Sequence, residues 1–267
     1  MRCIYICVIA MFCIPTHAEL VTYYSFDNDF TADVGGVAYD LTSVNGSTAG
    51  DTGGRFGNAA TFERANGEYA YTGGDVLQPG QDFSYTAWYK TALENEEEGI
   101  EGSNRYFVLE TSAFDTPSGD GAWTASIGLR DVSGTDVMEV FTHPSLSVVQ
   151  EPMALNTWQN VIVTFDADGG TNEDTGLMRV YLDGQLIETE DNLATRTAVG
   201  GLVIGGHRAG TGRNFEGQID AVAFYDHVLT DAQVSLLQRQ AVVPEPSSWL
   251  IGLGALVALG VVKRSKR

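Results

Sequence analysis

The segment FSYTAWYK, residues Phe83–Lys90, alternates with period two and contains no Gly or Pro. Successive side chains of a strand point to opposite faces, so this pattern predicts a strand that fills a core with one face. Similar aromatic and β-branched runs, bounded by Gly, Asn or Asp, recur along the chain. Further strands are predicted at residues 20–26, 59–62, 69–72, 106–110, 122–130, 137–142, 158–166, 177–182, 185–190, 202–205 and 217–225.

Few other elements interrupt these predicted strands. Asp183-Gly184, between VYL and QLI, is typical of a type I′ turn and predicts a hairpin. Thr230 and Gln233 form a capping box that starts one short helix. Because strands and helices do not alternate, we expect an all-β fold, a two-sheet antiparallel jelly-roll sandwich that occupies residues 19–240.

Residues 1–18 have the pattern of a secretory signal peptide. A positive start precedes an apolar run and a small-residue cleavage site at residues 16–18, and an uncleaved N-terminal anchor is the alternative. All three cysteines, Cys3, Cys7 and Cys13, lie in this segment. The mature protein therefore has no cysteine, which excludes disulfides, a thiol nucleophile and cysteine-based metal sites.

The C-terminal end contains three unlike segments in order. Pro244-Glu245-Pro246 lies in a linker at residues 241–248, where the prolines prevent a helix. Residues 249–262 carry no charge and are predicted to form a transmembrane helix; a buried core helix is the alternative. The cations that follow predict a basic cytoplasmic tail at residues 263–267.

This order resembles the PEP-CTERM sorting signal of Gram-negative bacteria that make exopolysaccharide. The resemblance rests on Pro244, Glu245 and Pro246, the apolar segment and the terminal cations. It implies cleavage near this motif by an exosortase-type membrane protease, so that the helix holds the chain in the membrane only before processing. It also implies a final location in the cell envelope, on the outer surface or in the extracellular matrix.

The segment between the two signals is strongly acidic. Residues 19–243 contain 34 Asp and Glu against 10 Lys and Arg, a formal charge of −24. Nucleic acid and anionic membranes require a positive surface, so neither is expected as a partner. The charge favours either a solubility role for an extracellular protein or sites for divalent cations.

Several motifs of this segment resemble the laminin G-like, concanavalin A-like jelly roll of bacterial secreted proteins. The resemblance spans the segment from its first predicted strand to its helix. The matching motifs are YYSFD at 23–27, GRFGNAATF at 54–62, FSYTAWYK at 83–90, NTWQNV at 156–161, VYLDG at 180–184 and GQIDAVAFY at 217–225.

The resemblance implies a calcium site. Its two principal ligands correspond to Asp33, in the loop after the first strand, and Asp220, with Asp27 or Asn28 as additional ligands. Ca²⁺ takes six to eight oxygens, so two carboxylates, loop carbonyls and waters suffice. The alternative is that Asp220 accepts hydrogen bonds from the backbone of a loop.

The resemblance also implies carbohydrate binding through exposed aromatic rings, which stack on the apolar faces of sugars. Tyr106, Trp123 and Phe215 lie near loop boundaries and are the candidate ligand-binding residues. The alternative is that these rings fill the core of the sandwich.

Catalytic motifs are missing from the sequence. Glucanases with the concanavalin A-like jelly roll carry two carboxylates on one strand face, as in Glu-x-Asp-x-x-Glu. The chain has no such run. We therefore expect a non-enzymatic binding domain for carbohydrate or exopolysaccharide matrix, assisted by calcium. The alternatives are a polysaccharide-degrading glycoside hydrolase and a structural matrix protein without a specific ligand.

Overall fold

The computed structural model describes residues 19–78, 80–92, 105–111, 125–132, 134–142, 146–194, 200–207 and 212–242. Glu19–Val243 form one compact unit. The predicted signal peptide, sorting motif and transmembrane helix lie outside the described residues. Within the described ranges, no helix is long and apolar enough to cross a membrane.

Strands make up most of the regular secondary structure of the described unit. Its elements are β1 (Leu20–Tyr24), β2 (Thr42–Val44), β3 (Thr48–Thr52), β4 (Asn58–Phe62), β5 (Tyr69–Leu77), β6 (Phe83–Lys90), β7 (Tyr106–Glu110), β8 (Ala125–Asp131), β9 (Asp136–Thr142), β10 (Leu146–Pro152), β11 (Gln159–Asp166), β12 (Thr175–Leu182), β13 (Gln185–Ala194), β14 (Gly200–Ile204), β15 (Gly217–Tyr225) and the helix α1 (Asp231–Leu237).

The strands form two antiparallel sheets. The eight-stranded sheet has the order β13-β12-β11-β6-β15-β4-β3, and β1 also pairs with β15. The seven-stranded sheet has the order β10-β9-β8-β7-β14-β5-β2. This arrangement confirms the predicted all-β sandwich.

Strand β6 illustrates how the sequence builds the core between the sheets. Phe83, Tyr85 and Tyr89 belong to the core cluster, while Trp88 points to the outer face of the eight-stranded sheet. Phe83 stacks on Phe165 of the neighbouring strand with ring centroids 5.2 Å apart. Each such buried ring contributes about 1.5–3 kcal/mol relative to an exposed one.

The outer face of the eight-stranded sheet is covered by α1. Val234 and Leu237 of the helix form a second apolar cluster with Tyr181 and other residues of the sheet. The helix begins as predicted, because Thr230 accepts a hydrogen bond from the Gln233 backbone in a reciprocal capping box. The helix therefore covers the outer face of the eight-stranded sheet and does not cover that of the seven-stranded sheet.

The hairpin and most of the strands agree with the sequence predictions. Asp183 and Gly184 have φ values of 49° and 79°, as the predicted type I′ turn between β12 and β13 requires. The strands that were not predicted, β2, β3 and β10, all lie at sheet edges. An edge strand pairs on one side only, so its sequence carries a weaker apolar pattern.

Candidate functional site

The outer face of the seven-stranded sheet carries charged side chains on β7, β8 and β9, of which Glu110 and Glu139 are fully buried. In β9, Met138 and Val140 belong to the core, so Glu139 between them points to the outer face. In β8, Ile127 and Leu129 belong to the core, so Arg130 also points outward. The strict alternation of a strand thus places charges on one face of the sheet.

Glu139 is the centre of a network of charged hydrogen bonds. Its side chain is fully buried, and Arg105, which precedes β7, pairs with both of its carboxylate oxygens through Nε and Nη2. Arg130 Nη2 lies 3.2 Å from Glu139 Oε1, and Gln150 Nε2 donates to the same oxygen at 3.2 Å. A buried carboxylate needs such compensation, because an unpaired charge is costly away from water.

The strand register makes this network possible. Phe107, Gly128, Glu139 and Gln150 lie in one row across β7, β8, β9 and β10. A Cβ atom on Gly128 would lie 3.5 Å from Arg105 Cβ and 3.7 Å from Arg105 Cδ. The arginine stem therefore crosses the strand above Gly128 on its way to Glu139.

Aromatic rings flank the charged network. The Arg105 guanidinium carbon lies 4.4 Å from the centroid of the Phe141 ring, a cation–π distance. Phe141 contacts Phe107 at 5.5 Å between centroids, and Phe107 contacts the His207 ring at 5.1 Å. His207 Nε2 also lies 3.9 Å from the buried Glu110 carboxylate.

We call Arg105, Phe107, Arg130, Glu139, Phe141 and Gln150 the arginine face. Planar guanidinium groups and an amide can bind a polar ligand by hydrogen bonds. The Glu139 carboxylate is occupied by two guanidinium groups, so the face offers fixed donors and not a free carboxylate pair.

A second polar site surrounds Asp220 in β15. This strand pairs with β4 up to Ile219 and with β1 from Val222 onward, so Asp220 lies where one partner replaces the other. Ala221 has a φ of 48°, which is strained for a residue with a side chain. The change of partner opens room for a fully buried carboxylate beside the loop before β4.

Backbone N–H groups at the loop before β4 donate hydrogen bonds to two of the predicted calcium residues, Asp220 and Asp27. Phe56 N donates to Asp220 Oδ2 at 2.9 Å, and Asn58 N donates to Asp27 Oδ1 at 2.8 Å. Gly57, at φ 99°, approaches so closely that a Cβ there would lie 2.3 Å from Asp27 Oδ1. The alternative raised from the sequence is therefore observed, because Asp220 accepts a hydrogen bond from a loop backbone.

Three of the predicted calcium residues lie in one region. Burial raises the pKa of Tyr23, and the charges of Asp220, Asp33 and Asp27 raise it further. All three carboxylates therefore lie close to the Tyr23 hydroxyl. The fourth predicted ligand, Asn28, is exposed beside Asp27. Asp33 Oδ2 accepts a hydrogen bond from a backbone N–H at 2.6 Å.

The donor chemistry of this region fits a hard cation. Asp220 Oδ1 is buried and has no hydrogen-bond partner among the described residues. No cluster of three or more carboxylates or imidazoles able to hold a metal is found in the described ranges. Carboxylates of Asp220 and Asp27 with loop carbonyls are the oxygen donors that Ca²⁺ prefers, and calcium binding stays a prediction.

Asp220 should make stability depend on pH. Burial raises its pKa from 3.8 to about 6, Asp27 adds to the rise, and the Phe56 N–H opposes it. The folded state then holds the proton more tightly than the unfolded state, so stability falls as pH rises from about 4 to about 6. This loss is about 3 kcal/mol.

The Asp220→Asn variant should not lose stability as the pH rises, because its amide has no proton to release. In chelator, the difference in unfolding free energy between Asp220→Asn and the native chain should grow by about 3 kcal/mol from pH 4 to pH 7. Adding Ca²⁺ at pH 7 should stabilise the native chain only. Asp168→Asn, at an exposed carboxylate, is the control. If denaturant unfolding shows the same difference in stability between Asp220→Asn and the native chain at every pH, the desolvation of the Asp220 carboxylate is contradicted. If Ca²⁺ leaves the stability of the native chain unchanged, the metal site is contradicted.

A cleft of about 510 Å³ lies where the two sheets meet near Val21 and Tyr39. Three carboxylates line it, but two of them already fix the backbone. Asp82 accepts a hydrogen bond from the Ala167 N–H, and Asp226 accepts one from the Glu19 N–H. These contacts give the carboxylates a structural role.

The aromatic residues proposed for sugar binding are not exposed platforms. Phe215 is 0% exposed in the core, with its ring edge on Tyr89. Tyr106 is 3% exposed, and Arg64 covers its ring and donates to its hydroxyl at 2.6 Å. For these two residues the core-filling alternative applies, because each closes the sandwich at a strand end. Trp123 lies outside the described residues.

The arginine face was not predicted from the sequence. One signal was available in β9, where Glu139 interrupts the apolar run VMEVF at residues 137–141. A charge at the middle of such a run marks either an exposed face or a buried pair. Its partners Arg105, Arg130 and Gln150 come from three other strands or their ends, and no spacing in the sequence connects them.

Solved structures with the same fold are distantly related in sequence. Domain 4 of AbnA, a GH43 extracellular arabinanase from Geobacillus stearothermophilus, solved with arabinotriose, is 19% identical, with a TM-score of 0.59 over 84% of this chain and 100% of that one. The botulinum neurotoxin type G receptor binding domain is 15% identical, with a TM-score of 0.52 over 83% and 51%. Trypanosoma rangeli sialidase with the inhibitor DANA is 17% identical, with a TM-score of 0.53 over 84% and 34%. The chain thus spans the whole arabinanase domain but only about half of the toxin domain.

These likenesses establish the fold alone. No curated protein matches the chain. A family model, Laminin_G_3, of the concanavalin A-like lectin/glucanases superfamily, matches residues 64–235, more than half of the chain. The matched residues include the arginine face and Asp220. The chain therefore belongs to the Laminin_G_3 family of the concanavalin A-like lectin/glucanases superfamily.

Proposed function

We propose that the protein is a non-enzymatic binding domain that holds a glycan, such as an exopolysaccharide, on the arginine face. The observation that carries this proposal is Glu139 held between Arg105 and Arg130, with Phe141 beneath the Arg105 guanidinium. Binding is an equilibrium process without a covalent step.

The chemistry of the arginine face suits a sugar. Hydroxyl groups accept hydrogen bonds from guanidinium and amide N–H groups. Because Glu139 fixes both guanidinium groups, little side-chain entropy is lost when a ligand binds. The arabinanase domain solved with arabinotriose supports the proposal, since a domain of this fold was obtained with an oligosaccharide.

The place of action follows from the terminal segments. An N-terminal signal peptide and the sorting motif Pro244-Glu245-Pro246 direct the chain out of the cell and, after cleavage by an exosortase-type protease, to the surface or matrix. Calcium bound at Asp220 and Asp27 would hold the loop before β4 against β15. It would act on stability and not on the arginine face itself.

A binding assay with a matched arginine variant tests the function. The full-length chain should bind the exopolysaccharide of the producing cells saturably, and Arg105→Ala should weaken binding at least about tenfold by removing charged hydrogen bonds. Arg179→Ala, in the eight-stranded sheet, should bind like the native chain. Melting curves check that both variants are folded.

Each other outcome has a defined meaning. Equal binding by Arg105→Ala and Arg179→Ala would place the ligand elsewhere. No binding to the exopolysaccharide or to a glycan array would favour a structural matrix protein. Release of shortened sugars would favour the glycoside hydrolase alternative.

A further inference from the structure

The start of β1 is held to the end of β15 by a reciprocal pair of hydrogen bonds, which we call the clasp. Glu19 N donates to Asp226 Oδ1 at 2.8 Å, and Asp226 N donates to Glu19 O at 3.2 Å. The Asp226 side chain is 47% exposed, and Glu19 is also exposed. Water competes for an exposed contact, so the strength of the clasp depends on whether its donor is charged.

The clasp lies at the weakly paired end of β1. This strand pairs with β15, and the register shifts between Leu20 and Thr22. The pair Leu20–Tyr225 is therefore separated from the regular pairs that follow it, and a shift of this kind locally disrupts the ladder of hydrogen bonds. The first residues of β1 consequently depend on the clasp for their attachment to β15.

Glu19 is also the residue at which the mature chain is predicted to begin, because the small-residue cleavage site ends at Ala18. Hydrolysis of the Ala18–Glu19 peptide bond leaves a carboxylate on Ala18 and a primary amine on Glu19. An α-amino group is protonated below a pH of about 7.7–8.0. The amide donor of the clasp would then become an ammonium donor, and a charged hydrogen bond is about twice as strong as a neutral one.

We propose that removal of the signal peptide completes the clasp, in that the α-ammonium group of Glu19 forms an ion pair with Asp226 and so fixes β1 on β15 in the mature protein. The inference rests on the predicted cleavage after Ala18 and is independent of the proposed glycan binding. It makes processing a step that stabilises the domain, since the uncleaved chain has only a neutral hydrogen bond at this place.

The charges around the clasp include one competitor. His227 Nδ1 lies 3.3 Å from the same Asp226 oxygen and competes with the ammonium group when it is protonated. The carboxylates of Asp75 and Asp82 line the cleft that Asp226 also lines, and Glu19 has a carboxylate of its own. Residues 19–243, including the segments outside the described ranges, carry a formal charge of −24. A variant that changes Asp226 alone keeps this background, so its difference from the native chain measures Asp226.

Titration of the mature amine tests the inference. Protein purified after export should begin at Glu19 by mass spectrometry. The pKa of its α-amino group, followed by NMR, should be at least about half a unit higher than in Asp226→Asn. The folded state would then hold the proton more tightly, so the stabilisation is present below about pH 7.7 and is lost as the pH rises through the raised pKa.

Asp174→Asn, the same change at an exposed position between β11 and β12, is the control and should keep the pKa of the native amine. Equal pKa values in the native chain and in Asp226→Asn would overturn the inference. A mature chain that begins at another residue would overturn it as well.

Inserting two glycines between Ala18 and Glu19 separates the charge from the hydrogen bond, because Glu19 N stays an amide in the mature chain. In the chain that begins at Glu19, Asp226→Asn should lower the folding equilibrium constant at pH 7 about threefold, measured by urea unfolding. In the chain with the insertion, the same substitution should have a clearly smaller effect. Equal effects in the two chains would overturn the inference.

A His227→Gln background distinguishes the ammonium group from the imidazole. The effect of Asp226→Asn should persist in this background when the chain begins at Glu19, because the ammonium group is still present. Loss of the effect would assign the interaction of Asp226 to His227 and overturn the inference.

Discussion

Replacing Phe215 by Ala is expected to lower the free energy of unfolding by about 3–5 kcal/mol. The ring is 0% exposed and meets Tyr89 edge-on with centroids 6.4 Å apart. The backbone around it is also fixed, since Phe215 N donates to Gly205 O at 2.8 Å. Removing the ring leaves a cavity that these fixed neighbours fill only partly. Chemical denaturation monitored by tyrosine and tryptophan fluorescence measures the loss.

Phe215→Leu is the matched control, because it keeps most of the apolar volume and should cost clearly less. Affinity for glycan, measured on the folded fraction, should not change in either variant. A Phe215→Ala chain with native stability and lost glycan binding would contradict the buried position and restore the role first predicted for this ring.

Replacing Glu139 by Ala should also destabilise the protein by about 3–5 kcal/mol. The substitution leaves Arg105 and Arg130 facing each other on a largely buried surface without the carboxylate that compensates them. Gln150 loses one hydrogen-bond acceptor as well. Glu139→Gln should cost less, because an amide oxygen still accepts from one arginine. The measurement is the midpoint and slope of urea unfolding.

Glu173→Ala removes a carboxylate at an exposed loop position and serves as the control for the change in net charge. A loss for Glu139→Ala no larger than that for Glu173→Ala would mean that the network contributes nothing to folding. A double variant, Glu139→Ala with Arg130→Met, should recover part of the lost stability, because it removes one of the uncompensated charges.

Local sequence was sufficient for the fold class and for several details. The period-two run at Phe83–Lys90 and similar runs predicted the strands of the sandwich, and Asp183-Gly184 predicted its hairpin. Thr230 predicted the start of α1. These features depend on the conformational preferences of neighbouring residues, so they can be derived without tertiary contacts. The edge strands β2, β3 and β10 were missed because their apolar patterns are short.

Tertiary structure decided which of these residues form a site. The pattern of a strand identifies two faces but not which one another element covers, so the sequence left Phe215 and Tyr106 open to either role. Glu139 found its partners only through the registers of four strands, and Asp220 was buried only because β15 changes its pairing partner. Both sites combine residues that are distant in sequence, and the distances between such residues are set by strand pairing and by the loops that join the strands.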